Sequence, residues 1–213
     1  MKAGITLITL FLFTIGIAQA QFSLEMWHDG KVVLESGDTL RGRVKYDLDN
    51  NAVRIVLPNK TEKTFTAHKA WYVEIFDENV DIYREFYALP YNIRPGYEAM
   101  VYFEVLQKGE ITLLSREKLV QRTVQNSPYN FYRNTYTFTD VAYQYFALKQ
   151  GNELLDISTK RRDVLALLGK HEKEVKKFMK SNRLKTERRT DLIRTFAYYN
   201  ALISDIEKKA SRN

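Results

Sequence analysis

Cysteine is absent from this 213-residue chain, and that absence removes several classes of chemistry. Without it there is no disulfide, no Cys-ligated zinc or iron–sulfur site, no thiol nucleophile and no lipidated cysteine. Histidine is nearly as scarce, because His28, His68 and His171 lie far apart and form no metal-binding spacing. Hydrolase serine motifs and phosphate-binding glycine motifs are also missing. We therefore expect a protein that is not an enzyme and that carries no metal or cofactor.

Long apolar runs are missing too, except at the start of the chain. Residues 1–20 hold Lys2, an apolar core at 5–17 and a small-x-small sequence at 18–20, which is typical of a signal peptide. At about 1.5 Å per residue this core is too short to cross about 30 Å of hydrocarbon. We expect cleavage before Gln21 and export to the periplasm, the outer-membrane periphery or the extracellular space. Nucleic acid and a membrane span are not expected for the exported form.

Residues 21–158 show an alternation with a period of two. Leu40, Val44 and Tyr46 alternate with charged residues, as a half-buried strand requires. Similar runs occur at 31–35, 52–57, 63–67, 70–76, 80–88, 98–107, 110–115, 142–149 and 153–157. The pattern predicts a mainly β protein with C-terminal α structure: an antiparallel β-sandwich or an open barrel of about ten short strands. The prolines, which we expect between strands, are at 58, 90, 95 and 128.

From residue 159 onward the apolar period becomes that of a helix. Two sets repeat at steps of three and four: Val164, Leu168, His171, Val175 and Phe178, then Leu192, Phe196, Tyr199, Ile203 and Ile206. Gly169 is expected to break the first helix, and Thr186 to cap the second. Residues 159–213 are therefore predicted to form a basic helical hairpin, too small to be stable unless it packs on the sheet or on a partner.

Charge is divided unequally between the two parts. Residues 159–213 hold 16 Lys and Arg against 7 Asp and Glu, whereas residues 21–158 hold 16 against 19. A basic element of this kind suits an anionic envelope surface or an acidic protein, and the alternative is a solvated face that only keeps the protein soluble. The candidate binding cations are Lys173, Lys176, Lys177, Lys180, Arg183, Lys185, Arg188 and Arg189.

Two acidic segments resemble binding sites only in part. Residues 47–51 begin like a calcium loop, but Ala52 and Pro58 replace the glycine and the glutamate that such a loop needs, so a hairpin turn is favoured. A second cluster would suit a hard cation or a carboxylate pair for glycoside hydrolysis, yet solvated loop charge is the favoured interpretation. Its members are Asp77, Glu78, Asp81 and Glu85.

Aromatic residues are dense near the end of the β-rich part, with eight between positions 129 and 146. Tyr143, Tyr145 and Phe146 lie in a strand-like run and are predicted to be core. Tyr129, Tyr132 and Tyr136 lie beside Pro128 in a stretch that favours a recognition loop, with packing as an equal alternative.

A resemblance to a family arises from both ends of the exported chain. The segment GDTLRGRVKYD at 37–47 resembles a hairpin near the start of exported, uncharacterised proteins of Bacteroidota. The segment YFALK at 145–149, the basic helices and YYNAL at 198–202 resemble the end of the same proteins. The resemblance implies a Gram-negative envelope or secreted setting and carries over no catalytic residue.

These observations together predict a non-enzymatic exported envelope protein. We expect it to bind a macromolecular partner or an anionic envelope surface through the cations above, with selectivity from the tyrosine-rich stretch. Two alternatives remain from other classes: a carrier that holds a small apolar ligand inside the β domain, and a hydrolase that uses the carboxylates of residues 77–85.

Overall fold

The computed structural model describes residues 26–48, 50–125 and 135–211. The predicted signal peptide at residues 1–20 lies outside the described residues, and so do Tyr129 and Tyr132 of the predicted recognition loop.

Ten strands and three α-helices form within the described part of the chain. The strands are β1 (His28–Leu34), β2 (Thr39–Asp47), β3 (Ala52–Val56), β4 (Glu62–Thr66), β5 (Ala70–Asp77), β6 (Ile82–Arg94), β7 (Tyr97–Gln107), β8 (Ile111–Gln125), β9 (Thr135–Lys149) and β10 (Leu154–Ile157). The helices are α1 (Arg161–Leu167), α2 (Glu172–Ser181) and α3 (Arg189–Ala210), with a 3₁₀ turn at Gly169–His171.

All ten strands belong to one open antiparallel sheet in the order β10-β9-β8-β7-β6-β5-β1-β2-β3-β4. Each overlaps one of the predicted runs, and helices follow the strands, so the predicted fold class is confirmed. The described strands form a single sheet and not the two facing sheets of a sandwich.

The part of the sheet from β1 to β7 curls on itself. In sheet order β2 and β7 are four strands apart, which in a flat sheet is about 19 Å at about 4.8 Å per strand. Nevertheless the ring centroids of Tyr46 in β2 and Tyr102 in β7 are only 5.6 Å apart. This half therefore corresponds to the open-barrel alternative, and its interior is filled by side chains that include Val32, Val44, Ile55, Val73, Ile75 and Phe86.

A side-chain amide bridges β7 and the turn between β2 and β3. Asn51 Nδ2 donates to the Met100 carbonyl at 2.7 Å, and Asn51 Oδ1 accepts the Tyr102 N–H at 3.3 Å. A neighbouring strand would supply the same two bonds to β7. Asn51 has φ of 46°, in the left-handed region that asparagine tolerates well. The predicted turn at 47–51 is confirmed, and its last residue closes the curled sheet.

Pro90 lies inside β6, opposite Met100, and not between strands as predicted. Because the Met100 carbonyl points away from β6 toward Asn51, the Pro90–Met100 pair exchanges no backbone hydrogen bonds. The side of Pro90 that lacks an N–H faces β5, whose pairing with β6 ends at Tyr87. A proline here removes no ladder bond.

Strands β8 and β9 continue well beyond the rest of the sheet. The β7–β8 pairing ends at Ser115, whereas the β8–β9 pairing continues to Gln125 opposite Thr135. Residues 116–125 and 135–144 therefore form a two-stranded antiparallel β-ribbon about 30 Å long. The predicted runs at 110–115 and 142–149 were too short, because polar and apolar residues are mixed on both faces of this ribbon. Tyr136 accordingly lies in a strand and not in a loop.

The helices pack on the β7–β10 part of the sheet. Their shared core includes Leu113, Ala147, Leu168, Val175, Met179, Leu192 and Phe196. Gly169, with φ of 59°, lies between α1 and α2, so the first arm of the predicted hairpin is divided into a short and a longer helix. Arg188 and not Thr186 is the N-cap of α3, and the Thr186 side chain is buried.

A transverse row of side chains joins the curled half to the helix-covered half on one face. Each member is the register partner of the next, from β2 to β10: Leu40, Val32, Val73, Phe86, Glu104, Ser115, Tyr145 and Ile157. The row is apolar on the curled side and polar at Glu104 and Ser115, where the two halves meet.

We predict that Asn51→Gly lowers the free energy of unfolding by about 1–3 kcal/mol, the usual effect of leaving buried backbone groups unpaired. Glycine keeps the left-handed backbone, and the entropy that it adds to the unfolded chain is shared by a glycine control at the neighbouring position. Urea denaturation measures the loss, and Asn50→Gly, at an exposed neighbour whose side-chain amide donates to Asp47, is the control. Equal stability of both variants would show that the amide does not close the sheet.

Candidate anion-binding surface and the buried charge cluster

Four lysines share one face of α2, and we call them the α2 lysine face: Lys173, Lys176, Lys177 and Lys180. At about 100° per residue they fall within roughly a third of the helix circumference. Glu172 and Glu174 lie about a quarter turn to either side, near the helix N-terminus where acidic residues are favourable. All four lysines are exposed. The face is therefore a compact cationic strip.

The opposite side of α2 fixes the position of this strip. Val175 and Met179 are fully buried in the helix–sheet core. Phe178 stacks on Tyr198 of α3, with ring centroids 4.0 Å apart and the planes nearly parallel. Because α2 is held on its apolar side, the lysines keep a fixed spacing toward solvent.

The exposed cations carry charge that the described residues do not neutralise. Among the described residues, the ion pairs that involve a helix residue join Arg162 to Asp163 and Arg189 to Glu104 of β7, and neither involves the α2 lysine face. Three further predicted cations, Arg183, Lys185 and Arg188, are exposed in the connection from α2 to α3. The structure thus brings seven of the eight predicted cations to the surface of one short segment.

Arg189, the eighth, has a different role. Its Nη2 donates to Glu104 Oε1 at 2.7 Å and its Nη1 to Ser115 Oγ at 3.1 Å. Its guanidinium also lies over the Tyr143 ring, 5.3 Å from the centroid. Arg189 therefore attaches the start of α3 to the sheet, and a surface partner would find this charge already paired.

Glu104 is the centre of a buried charge cluster between the two halves of the sheet. Arg84 binds it through two hydrogen bonds of 2.8 Å, and Ser115 Oγ donates to it at 3.1 Å. Burial alone would raise the pKa of Glu104, but the hydrogen bonds and charges of Arg84 and Arg189 hold it below its ordinary value. The carboxylate is therefore ionised and saturated with donors, which suits a structural anchor.

Glu117 lies at the edge of the same cluster with fewer partners. Its carboxylate is 3.5 Å from Arg84 Nη2, and Oε1 is buried without a hydrogen bond from a described residue. Burial raises the pKa of Glu117 above its ordinary value, and the charge of Glu104 adds to the rise while Arg84 opposes it.

A second asparagine attaches the middle of α3 to the sheet. Asn200 Oδ1 accepts the Ile111 N–H at 3.1 Å, and its Nδ2 donates to the Ile111 carbonyl at 3.0 Å. Gly109 lies so close to this amide that a Cβ atom there would overlap it. With Arg189 at one end and Asn200 about 16 Å further along, α3 is fixed to β8 at two points.

The aromatic predictions divide in the structure. Tyr145 and Phe146 are buried and Tyr143 packs against the helix–sheet core, so the core prediction is confirmed. Tyr136 is 56% exposed on the β-ribbon, beside the exposed Phe138 and Val124.

The acidic segments keep structural partners. Asp77 Oδ1 accepts the Asn79 N–H at 3.0 Å within a turn, and Glu85 in β6 pairs with Lys108. Within residues 26–48, 50–125 and 135–211, no group of His, Asp and Glu side chains has the arrangement of a metal site. None of the helices in these ranges is long and apolar enough to span a membrane.

Sequence reasoning missed the charge cluster, although a signal was present. Glu104 occupies an inward position in the otherwise apolar run at 101–106, where a carboxylate requires a buried partner. The partners, Arg84 and Arg189, are 20 and 85 residues away in the chain, so nothing local identifies them.

In comparisons with known proteins, no family model, no curated protein and no solved structure matches this chain significantly.

We predict that Glu104→Gln lowers the free energy of unfolding by about 3–5 kcal/mol at neutral pH, because it leaves the buried Arg84 and the half-buried Arg189 without their counter-ion. Since the folded pKa of Glu104 is lowered, its stabilisation is present above the ordinary carboxyl pKa and is lost as the pH falls through the folded value. The gap between wild type and variant should thus close in acid. Urea denaturation measures it, with Glu62→Gln, from the exposed Arg54–Glu62 pair, as the near-neutral control.

Glu117→Gln should have the opposite effect. Because the folded pKa of Glu117 is raised, its favourable contribution is present below the ordinary pKa and is lost as the pH rises through the folded value. The variant should therefore be at least as stable as wild type at neutral pH, with the difference disappearing in acid. A marked loss of stability at neutral pH would instead make Glu117 a necessary partner of Arg84.

Proposed function

We propose that this chain is a non-enzymatic exported envelope protein that attaches to anionic surfaces through the α2 lysine face. The observation that carries the proposal is the fixed strip of four exposed lysines without ion pairs to described residues. Arg183, Lys185 and Arg188 continue the positive charge into the next connection. Arg189 is left out of the binding set because it is bound to Glu104.

Lysine side chains suit a surface made of many phosphates better than a single buried ligand. Each ammonium is a mobile point charge on a long stem, and it gains attraction without a fixed geometry. Near an anionic membrane each such charge contributes about 1 kcal/mol, and the attraction falls off within a Debye length of about 8 Å at physiological salt. Attachment should therefore be reversible and sensitive to salt.

The proposed setting is the Gram-negative envelope. It is supported by the leader sequence at residues 1–20 and by the resemblance to exported proteins of Bacteroidota. Phosphate-bearing lipid headgroups and lipopolysaccharide are the anionic surfaces expected there.

The experiment is sedimentation of residues 21–213 with phosphatidylcholine vesicles that contain phosphatidylglycerol, against vesicles of phosphatidylcholine alone. Lys176→Gln with Lys180→Gln removes two charges from the α2 lysine face. We expect about 30-fold weaker binding to the anionic vesicles, which corresponds to about 2 kcal/mol at about 1 kcal/mol per lysine.

The matched control is Lys60→Gln with Lys63→Gln, which removes the same charge from exposed positions at the β3–β4 edge of the sheet. This control should bind like wild type, and high salt should abolish all binding. Equal loss in both double variants would mean that only net charge matters. Wild-type binding by the α2 variant would refute the proposal, and a parallel series with lipopolysaccharide tells the two phosphate sources apart.

The alternatives gain no support from the described residues. A carrier needs interior space, but the curled half of the sheet is filled by its own side chains. A hydrolase needs two converging acids, but Asp77 and Glu85 are occupied separately, by a turn and by Lys108.

A further inference from the structure

The two outermost strands of the sheet and the two strands of its ribbon each present an edge without a described neighbouring strand, and three of these four edges carry features that discourage pairing. β4 has Glu62 and Lys63, β10 has only four residues, and the ribbon segment of β8 has charges at Arg116, Glu117, Lys118 and Arg122. Charges and shortness are the usual means by which edges avoid other strands. The ribbon segment of β9 differs, since residues 135–144 include Asp140 as their sole charged residue and contain neither proline nor glycine.

The backbone groups on this β9 edge can be assigned from neighbouring hydrogen bonds. Lys149 N–H donates to Glu153 at 3.0 Å, so residue 149 points toward β10. The β8–β9 register shows no shift, and therefore odd-numbered residues of β9 point the same way along its whole length. Asp140 Oδ1 accepts the Val141 N–H at 2.9 Å, which satisfies one of these groups. The outward groups of Thr135, Thr137 and Thr139 face no described strand.

Residues 135–139 read Thr-Tyr-Thr-Phe-Thr, which is nearly symmetric about Thr137. An antiparallel strand pair with a twofold axis at Thr137 would place Thr135 opposite Thr139 and Tyr136 opposite Phe138, twice each. Thr–Thr and aromatic–aromatic pairs are favourable cross-strand partners. An extended β segment that is symmetric and uncharged is complementary to itself.

We propose that two copies of this chain pair through the β9 edge at residues 135–139, antiparallel and about Thr137. The two ribbons then become one four-stranded sheet, with Thr137 of each copy at the axis. The pairing segment begins six residues, about 20 Å, beyond the part of β9 that β10 covers, so the chain's own β10 leaves it open.

Charge and area determine how strong this dimer is. No like charges meet within the paired segment, although the whole chain has a net charge of +7 that opposes association at a distance. Tyr136 and Phe138 are 56% and 47% exposed. A buried aromatic side chain covers about 150–250 Å², so four half-exposed rings contribute about 400 Å². Even with the paired backbone this is below the roughly 1,200 Å² of a stable interface. The dimer is therefore weak and reversible.

Salt separates this contact from attachment to anionic surfaces. Screening removes repulsion between two cationic chains, so dimerisation should strengthen with salt. Binding through the α2 lysine face should weaken with salt. The proposed dimer and the proposed attachment to anionic surfaces can therefore be confirmed or refuted independently of each other.

The test is sedimentation equilibrium of residues 21–213 over a concentration series at low and high salt. Thr137→Pro removes an N–H that points to the open edge and leaves the β8 ladder intact. The matched control is Thr64→Pro. The Leu57 N–H donates to the Thr61 carbonyl, so odd-numbered residues of β4 direct their backbone groups toward β3. The backbone N–H of residue 64 therefore points to the open edge of β4. We expect wild type and Thr64→Pro to dimerise, and Thr137→Pro to remain monomeric.

Thr137→Lys and Thr137→Glu provide a second test that tolerates a folding defect in the proline variant. Residue 137 is exposed, so either side chain fits. Each variant alone should be monomeric, because like charges meet at the axis, and a mixture of the two should restore a dimer at least ten times tighter than either alone. A wild type that stays monomeric at every concentration, a dimer that survives Thr137→Pro, or a mixture that does not associate would each overturn the proposal. If the wild type is monomeric but binds a different protein that Thr137→Pro no longer binds, the edge serves that partner, and the proposal of a dimer is overturned.

Discussion

The ionised carboxylate of Glu104 is the contact on which the arrangement of both halves depends. It lies in the row where the curled part of the sheet meets the helix-covered part, and it binds Arg84 from β6, Ser115 from β8 and Arg189 from α3. Buried ion pairs add little net stability over an apolar contact, but a buried charge without its partner is very unfavourable. Glu104 therefore fixes the start of α3 over β7 and β8 and penalises other placements of the helices.

Control of strand edges is the second constraint. One amide, from Asn51, completes the edge of β7 where the sheet curls, and another, from Asn200, completes the start of β8 under α3. Pro90 lies where no ladder bond is needed, and Asp140 covers one N–H of β9. These devices satisfy or avoid backbone groups at positions where the described sheet offers no neighbouring strand. The uncharged segment of β9 has no such device at residues 135–139, and it is therefore the edge proposed for self-association.

The sequence was sufficient for the strands, their number and the change to helix at residue 159, because period-two and period-3.6 patterns are local. It was insufficient for the β-ribbon, since residues 116–125 mix charged and apolar side chains on both faces and conceal the alternation. The cationic surface was also predictable, as charge density in a helix can be counted. The pairing of Arg189 with Glu104 was not predictable, because Glu104 is 85 residues away and only the folded sheet brings the two side chains together.

The amide of Asn51 also has a consequence for chemical ageing. Hydrolysis of that amide would replace Nδ2 by a carboxylate oxygen, which cannot donate to the Met100 carbonyl now 2.7 Å away. Two acceptors would then face each other at the closure of the sheet, and a negative charge would enter a half-buried site beside Tyr46 and Tyr102. Loss of a single amide nitrogen would weaken the seam of the curled half, so the stability of this fold depends in part on one covalent bond that water can break.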